Sequence, residues 1–338
     1  MVTAKISMGP RDALAEPPPE RSPIVVFDNG NHQSWSYAGE ETPAPPVRSL
    51  VMSLPEGQRP RPSTPTSPII EVEKQRYHFG AETALYDTPH AIANGNKLDH
   101  SLLMFLATVP DRVNRQEIDV VALHHSPEND ADCLRIRGAL QGAHEWIRNG
   151  VEMSVSVRRV SVELEGAGTW HFLHPDGYAD SWSLLIDIGG GSWVACVLDN
   201  AGRVRDSIAS SKGGTIALAR SIAKDSRLTK KVLDRGHTHV DLGEVMTGLE
   251  CGHRYVDDPG LSWEDWLEDY VPRWWQQLKS AARSDFHHYG KRIGEVIVTG
   301  GGAHLVADAV DRDRVSIPKS PHVAATVGTW IKHSAGGA

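Results

Sequence analysis

Ser183-Leu184-Leu185-Ile186-Asp187-Ile188-Gly189-Gly190-Gly191-Ser192-Trp193, continued by Val194-Ala195-Cys196-Val197-Leu198, decides how the chain is read. An apolar run leads into a carboxylate, glycines follow, and a second apolar run leaves. This pattern predicts a β-hairpin with a Gly-rich turn. Such glycines let the backbone approach a ligand and aim several N–H groups at one point, as a phosphate requires. Asp187 falls at a strand end, where a carboxylate can hold Mg²⁺ through its waters.

The same order occurs twice more. Ile24-Val25-Val26-Phe27-Asp28-Asn29-Gly30-Asn31 runs apolar, acidic, one residue, glycine. Val296-Ile297-Val298-Thr299 leads into Gly300-Gly301-Gly302-Ala303-His304. One Gly-rich turn after a strand means little alone, but three in this order are specific. Two halves of similar design, each with an Asp at a strand's carboxyl end, would face each other across a nucleotide cleft.

With these pieces in hand, the sequence resembles the actin/Hsp70/sugar-kinase superfamily of ATPases. The Asp28 segment resembles the phosphate-1 loop, the Asp187 segment phosphate-2, and Gly300-Gly301-Gly302 the adenosine loop. Within the superfamily it is most similar to the bacterial plasmid-segregation actins of the ParM/StbA type. Tyr77-His78-Phe79-Gly80, Glu165-Gly166-Ala167-Gly168, Gly213-Gly214-Thr215 and the ending after Pro321 carry that choice. The resemblance spans roughly residues 23–333, in motif order.

It implies a two-domain α/β, ribonuclease H-like fold with the nucleotide between the halves. The expected division is a disordered tail at 1–22, domain I at 23–182 with a Pro-rich insertion about 40–68, domain II at 183–320, and a C-terminal helix at 321–338 returning to domain I. It further implies ATP, with GTP open, and Mg²⁺ held by Asp28 and Asp187. Gly30, Asn31, His32, Gly189, Gly190, Gly191 and Ser192 would meet the phosphates. Gly213, Gly214, Thr215, Gly300, Gly301, Gly302 and Ala303 would lie against ribose and base, with Lys212 a weaker candidate. Glu165 would position the attacking water, with Glu163 the fallback. Asp187 and Glu165 are thus the candidate catalytic residues. The implied activity is ATP hydrolysis coupled to filament dynamics, serving plasmid segregation through a DNA-bound adaptor. Two rivals stay open: a small-molecule kinase on the same fold, and a non-catalytic scaffold. The family often places Lys five residues beyond the phosphate-1 glycine, whereas this chain has Trp35 there.

Composition agrees with a soluble, globular protein. The chain has 338 residues, enough for two domains, with 40% hydrophobic and 23% charged residues. No apolar run approaches the roughly 20 residues of a membrane span, and the N-terminus has no apolar signal core. The three cysteines, Cys133, Cys196 and Cys251, are widely separated and suit a reducing cytoplasm. A net charge of −8 without a long basic block argues against direct nucleic-acid binding.

The rest of the chain fills in between the motifs. Prolines across 40–68 predict loop or extended chain, with a short strand at 47–52; the area is either a filament contact or a mobile loop. Strands are expected at 69–72, 76–79, 118–123, 154–157 and 160–164, and helices at 97–107 and 305–310. His124-His125 reads as a loop rather than a metal site, because neighbours on extended chain point to opposite faces. His144-Glu145 opens like a zinc-protease motif but has Arg148 where the second His must stand. Asn149-Gly150 suits a type I′ hairpin turn. Ser262-Trp263-Glu264-Asp265 reads as a cap for a long helix with an aromatic stripe at 263, 266, 270 and 274, kinked at Pro272 and most plausible as core.

Overall fold

Val25, Val26 and Phe27 are almost wholly buried, as are Val120 to Leu123. Near-continuous apolar runs of this kind form parallel strands covered on both faces. The computed structural model describes residues 22–30, 32–86, 90–91, 97–256, 258–311 and 313–335. The tail expected at 1–22 lies outside the described residues except for Ser22, whose hydroxyl donates to Glu117 Oε1 at 3.3 Å.

The first sheet contains β1 (Ile24–Asn29), β2 (Gln33–Tyr37), β3 (Val47–Arg48), β4 (Leu50–Leu54), β5 (Ile69–Val72), β6 (Gln75–Phe79), β7 (His90–Ala91), β8 (Gln116–His124), β9 (Gly142–Arg148) and β10 (Val151–Leu164). Their order is β3-β2-β1-β8-β10-β9-β5-β6-β4-β7. β1, β8 and β10 run parallel; β1, β2 and β3 form an antiparallel meander. The two strands expected at 154–157 and 160–164 are one strand, β10, joined through a bulge between Val157 and Arg159. Asn149 and Gly150, with φ of 51° and 82°, make the expected tight turn between β9 and β10.

Two helices accompany this sheet, α1 (Ser101–Thr108) and α2 (Asp130–Leu140). The helix expected from Lys97 starts only at Ser101. The carbonyl of Lys97 is taken by side chains instead, accepting from Asn29 Nδ2 at 3.0 Å and Ser101 Oγ at 3.2 Å.

α3 (Gly168–Leu173) leads from the first sheet to β11 (Trp182–Ile188), β12 (Trp193–Leu198) and β13 (Val204–Ser210). Then come α4 (Thr215–Ala223), α5 (Ser226–Asp234), α6 (Leu242–Cys251), a small hairpin of β14 (Tyr255–Val256) and β15 (Asp258–Ser262), and α7 (Leu267–Phe286). β16 (Ile293–Thr299), β17 (Val315–Ser316) and α8 (Pro321–Ala335) close the chain. The second sheet has the order β13-β12-β11-β16-β17. It repeats the plan of β3-β2-β1-β8-β10: an antiparallel meander beside two parallel strands.

The expected aromatic stripe is core at Trp263 and Trp274, whereas Trp266 and Tyr270 are only partly buried, Trp266 beneath Arg227 and Lys231. Trp263, Trp274, Trp275, Leu278 and Phe286 are buried together with Ile188, Leu218, Ile222 and Val245. Ser262 Oγ accepts from Glu264 N at 3.2 Å, but a 3₁₀ turn at Glu264–Trp266 intervenes before α7 begins. α7 continues unbroken through Pro272, whose missing N–H removes one bond near the helix start. The helix expected at 305–310 is instead a 3₁₀ turn, Ala303–Val306. Ala303 and Val306 are fully buried, and the chain reverses at Asp311, whose carbonyl accepts from Arg314 and Val315, to enter β17.

α3 and α8 are the two chain crossings between the sheets, and they pack on each other. α8 returns to lie against β1 and β2. The crossing is built on glycine. A Cβ on Gly168 would stand 2.1 Å from the Ala325 carbonyl oxygen, and one on Gly328 would stand 1.8 Å from that of Gly168. Backbone cannot yield as a flexible side chain does, so Gly328→Ala should destabilise by about 1–3 kcal/mol. Gly138→Ala, in α2 where nothing lies within 4 Å, should be neutral or stabilising. Urea unfolding midpoints of the two variants check this contrast.

Candidate functional site

Each parallel-strand bundle delivers polar residues at its carboxyl end. Asp28 is next to last in β1 and Asp187 next to last in β11. Glu165 directly follows β10, and Gly300 directly follows β16. Ligands bind beyond the carboxyl ends of such strands. All four residues line one cleft between the sheets.

The floor of the cleft gathers three carboxyl groups. Burial, and then the charge of Glu165, raises the Asp28 carboxyl to about 7, with Lys97 pulling the other way. Burial, Glu165 and Asp28 together hold the Asp187 carboxyl well above the usual carboxylate range. Among the described residues, Asp28 Oδ1 and Glu165 Oε2 are buried without a hydrogen-bond partner. Buried polar atoms are normally paired, so these oxygens call for a cation or a polar ligand. Their hard oxygen donors fit a magnesium-type ion. Among the described residues no group of three His, Cys, Asp or Glu side chains forms a metal cage. A cation here would therefore be held partly through water and ligand oxygens, as Mg²⁺ usually is.

Glycines bring the backbone up to Asp187. Gly166 and Gly300 have φ of 82° and 84°, where a side chain is strained. A Cβ on Gly166 would stand 2.7 Å from Asp187 Oδ2, and one on Gly300 2.1 Å from Asp187 Oδ1. The turn after β11 is closed by Gly189 N donating to Ser192 O at 2.9 Å. The start of α4 braces it: Thr215 N donates to Gly189 O and Ile216 N to Gly190 O.

The mouth is clasped by Glu250 of α6. His32 Nε2 lies 3.0 Å and Arg48 Nη2 2.9 Å from Glu250 Oε2, while Gln33 Nε2 donates to Oε1. Arg48 also donates to Thr247 at 3.0 Å. Burial alone would raise Glu250, but His32 and Arg48 hold it at about 2, so it stays ionised. Beside it, Met246, Leu249 and Leu305 give an apolar wall. The His304 ring ties that wall together, with Nδ1 2.8 Å from Gly301 O and Nε2 3.0 Å from Leu249 O.

Asp28, Gly30, His32, Glu165, Asp187, Gly189, Gly190, Ser192, Thr215, Gly300 and Gly301 thus converge on the cleft. Asn31 lies outside the described residues. Gly191, Gly213, Gly214, Gly302 and Ala303 are not among its lining. Gly213 packs on the Trp193 indole, and its carbonyl accepts from Trp274 Nε1 at 3.0 Å. Gly214 packs on the Gly189 and Gly190 carbonyls, and Gly302 on Ile188 and Thr215. Ala303 is fully buried. Glu163, the fallback for Glu165, is turned to α8: burial opposes its ionisation, but His333 at 2.7 Å and Lys332 at 2.8 Å hold it at about 2. Gln33, Met246, Leu249, Glu250, His304, Leu305 and His322 line the cleft unanticipated. His124 is an ordinary buried ring, its Nδ1 3.0 Å from Ser126 O.

No protein-family model matches the sequence, and no curated protein matches it. Solved structures do. Apo pSK41 ParM superposes with a TM-score of 0.64 at 15% identity, covering 93% of this chain and 97% of that one. A non-polymerisable quadruple mutant of pCBH ParM gives 0.73 at 14% identity, covering 94% and 100%. The chain has an actin-like fold of the ParM type. The archaeal actin homologue Ta0583 in complex with ADP gives 0.64 at 14% identity, covering 90% and 97%. In this actin-like chain no described helix is long and apolar enough to cross a membrane.

The raised Asp28 carboxyl sets a sign for stability. A native carboxyl that binds its proton more tightly than the unfolded one loses stability as pH rises, from the unfolded value near 4 through the folded value near 7. Asp28→Asn removes that cost. The ligand-free variant should therefore melt higher than wild type at pH 7.5 and show a flatter decline between pH 5 and 7.5. Thermal unfolding in EDTA without nucleotide checks both.

Proposed function

We propose that this chain is an actin-like ATPase that assembles into nucleotide-dependent filaments. The observation that carries the reading is the meeting of Asp28 and Asp187, one from each sheet, with Glu165 in one cleft. The ADP complex of Ta0583 and the filament structures of Alp12 and of a Clostridium botulinum ParM support it. We take the two sheets with their helices as domain I, residues 23–182, and domain II, residues 183–320. The C-terminal helix, Pro321–Ala335, returns to domain I.

Nucleotide triphosphate would lie along the cleft, its base toward Met246, Leu249 and Leu305. Gly30, Gly190 and Ser192 offer backbone N–H groups and a hydroxyl to the phosphates, on a turn that the Gly189 N–H holds closed. Asp28 and Asp187 would hold Mg²⁺ through its water shell, and the bound ion would neutralise phosphate charge. Glu165 keeps an oxygen free of protein partners, so it can orient water for in-line attack or accept its proton. Exclusion of bulk water falls to the Glu250 clasp. ATP is the proposed nucleotide, with GTP the alternative. Filaments would form through head-to-tail contacts that do not close into a ring. A net charge of −8 leaves DNA attachment, for a plasmid-segregation role, to a separate adaptor.

Asp187→Ala should abolish phosphate release, measured with purified protein and Mg·ATP. Glu165→Ala should slow hydrolysis at least about 100-fold while leaving nucleotide affinity within a few-fold. Equal loss of binding and turnover would contradict its role. Sedimentation with and without ATP tests assembly, and nucleotide binding without ATP-dependent pelleting would remove the filament part.

A further inference from the structure

The last turns of α6 carry the apolar wall of the cleft, and their backbone is closed from outside the helix. The final carbonyls of any helix lack partners of their own. At α6, Gly248 O accepts from Gly252 N at 3.0 Å and from Arg254 Nη1. Leu249 O lies 3.0 Å from Nε2 of His304, 55 residues further along the chain. The same ring reaches back with Nδ1 to Gly301 O at 2.8 Å. His304 thus joins the helix that bears Met246, Leu249 and Glu250 to the turn that follows β16, and all of these residues line the cleft with Gly301.

Both partners of this ring are carbonyl oxygens, which only accept. A neutral imidazole carries one N–H and one lone pair, whereas the imidazolium donates from both nitrogens. Both contacts are hydrogen bonds only when the ring is charged; in either neutral tautomer one lone pair faces a carbonyl oxygen. The place suits a cation, because helix C-termini favour positive charge. The ring is also exposed, so its proton can exchange with solvent. Among the ionisable groups that share the cleft, Glu250 of α6 is held by His32 and Arg48. His322, in the first turn of α8, has its proton affinity lowered first by burial and then by His304. Asp28, Glu165 and Asp187 lie on the floor.

We propose that His304, as the imidazolium, is the positioning residue of the base wall: it locks the end of α6 to the Gly301 turn and so couples nucleotide affinity to a proton. The inference rests on the nucleotide reading above and names what fastens the wall of that site. Protonated, the ring tethers Leu249 and Gly301 together, and the base meets a preformed slot. Loss of the proton leaves one tether at most, and the base must then order the wall as it binds.

The experiment titrates the full chain with Mg·ATP by calorimetry between about pH 5 and 8, where histidines change charge. His304→Phe keeps a ring and removes both N–H groups. His304→Gln keeps an amide donor for Leu249 and has no charge to lose. Affinities are read as ratios to wild type at each pH, because the titrations of Asp28 and of the nucleotide are common to all three proteins. His304→Phe should weaken Mg·ATP about tenfold at the acid end, and the loss should shrink as pH rises. His304→Gln should bind less tightly than wild type at the acid end and match or exceed it at the alkaline end. Repeating the series in a His322→Gln background should preserve these slopes; their disappearance would move the proton to His322 and overturn the proposal. A purely structural ring would lower the melting temperature and leave the ratios flat with pH, which also overturns it, as does wild-type affinity in His304→Phe. Should His304→Phe not fold, His304→Asn, too short to reach Leu249, replaces it with the same expected losses, and failure of both counts against the proposal. Wild type that binds Mg·ATP while the ratios stay flat sinks only this inference; wild type that binds no nucleotide takes the functional reading with it.

Discussion

Burial of Asp28 and Asp187 beside Glu165, with charge repulsion second to it, is the constraint on which the structure turns. Three carboxylates share one cleft, two with raised proton affinity and two with a buried oxygen left unpaired. No stability argument favours such an arrangement, because removing charges from water without partners is costly. The two cores on either side hold these side chains in place.

How the chain holds it follows from a repeated plan. An antiparallel meander beside parallel strands occurs in both sheets, so an acidic residue at the end of β1 and another at the end of β11 come to face each other. Close packing of glycine then sets the distances. Gly166 and Gly300 admit Asp187 from two sides, and Gly168 and Gly328 let α3 and α8 cross with backbone against backbone. A methyl group at any of these four places would push apart elements that the cleft needs together.

What could be read from the sequence was what is punctuated locally. Asp28, Asp187 and Gly300 each end an apolar run, and Asn149-Gly150 names its own turn, so these were legible. Trp263 and Trp274 were legible as core through their helical spacing. The clasp was not: Glu250 and His32 stand 218 residues apart, and nothing in the sequence around Leu242–Cys251 marks that helix as a cleft wall. Gly213 and Gly214 were visible as a Gly-rich turn. That they serve the packing of Trp193 and the Gly189 carbonyls depends on neighbours that the sequence does not display. Residues 305–310 have a helix-compatible composition, yet the need to reverse into β17 prevails over local propensity.

The clasp is lopsided. His32, Gln33 and Arg48 all belong to one side of the cleft, and a single carboxylate on the other side receives them. Redundancy therefore resides wholly with the donors. Drift in any one of them leaves the mouth tethered by the remaining pair, whereas change at the shared carboxylate leaves only the Arg48 bond to Thr247. Mutational tolerance across this boundary should be correspondingly one-sided, permissive along β2 and β3 and unforgiving at one position of α6.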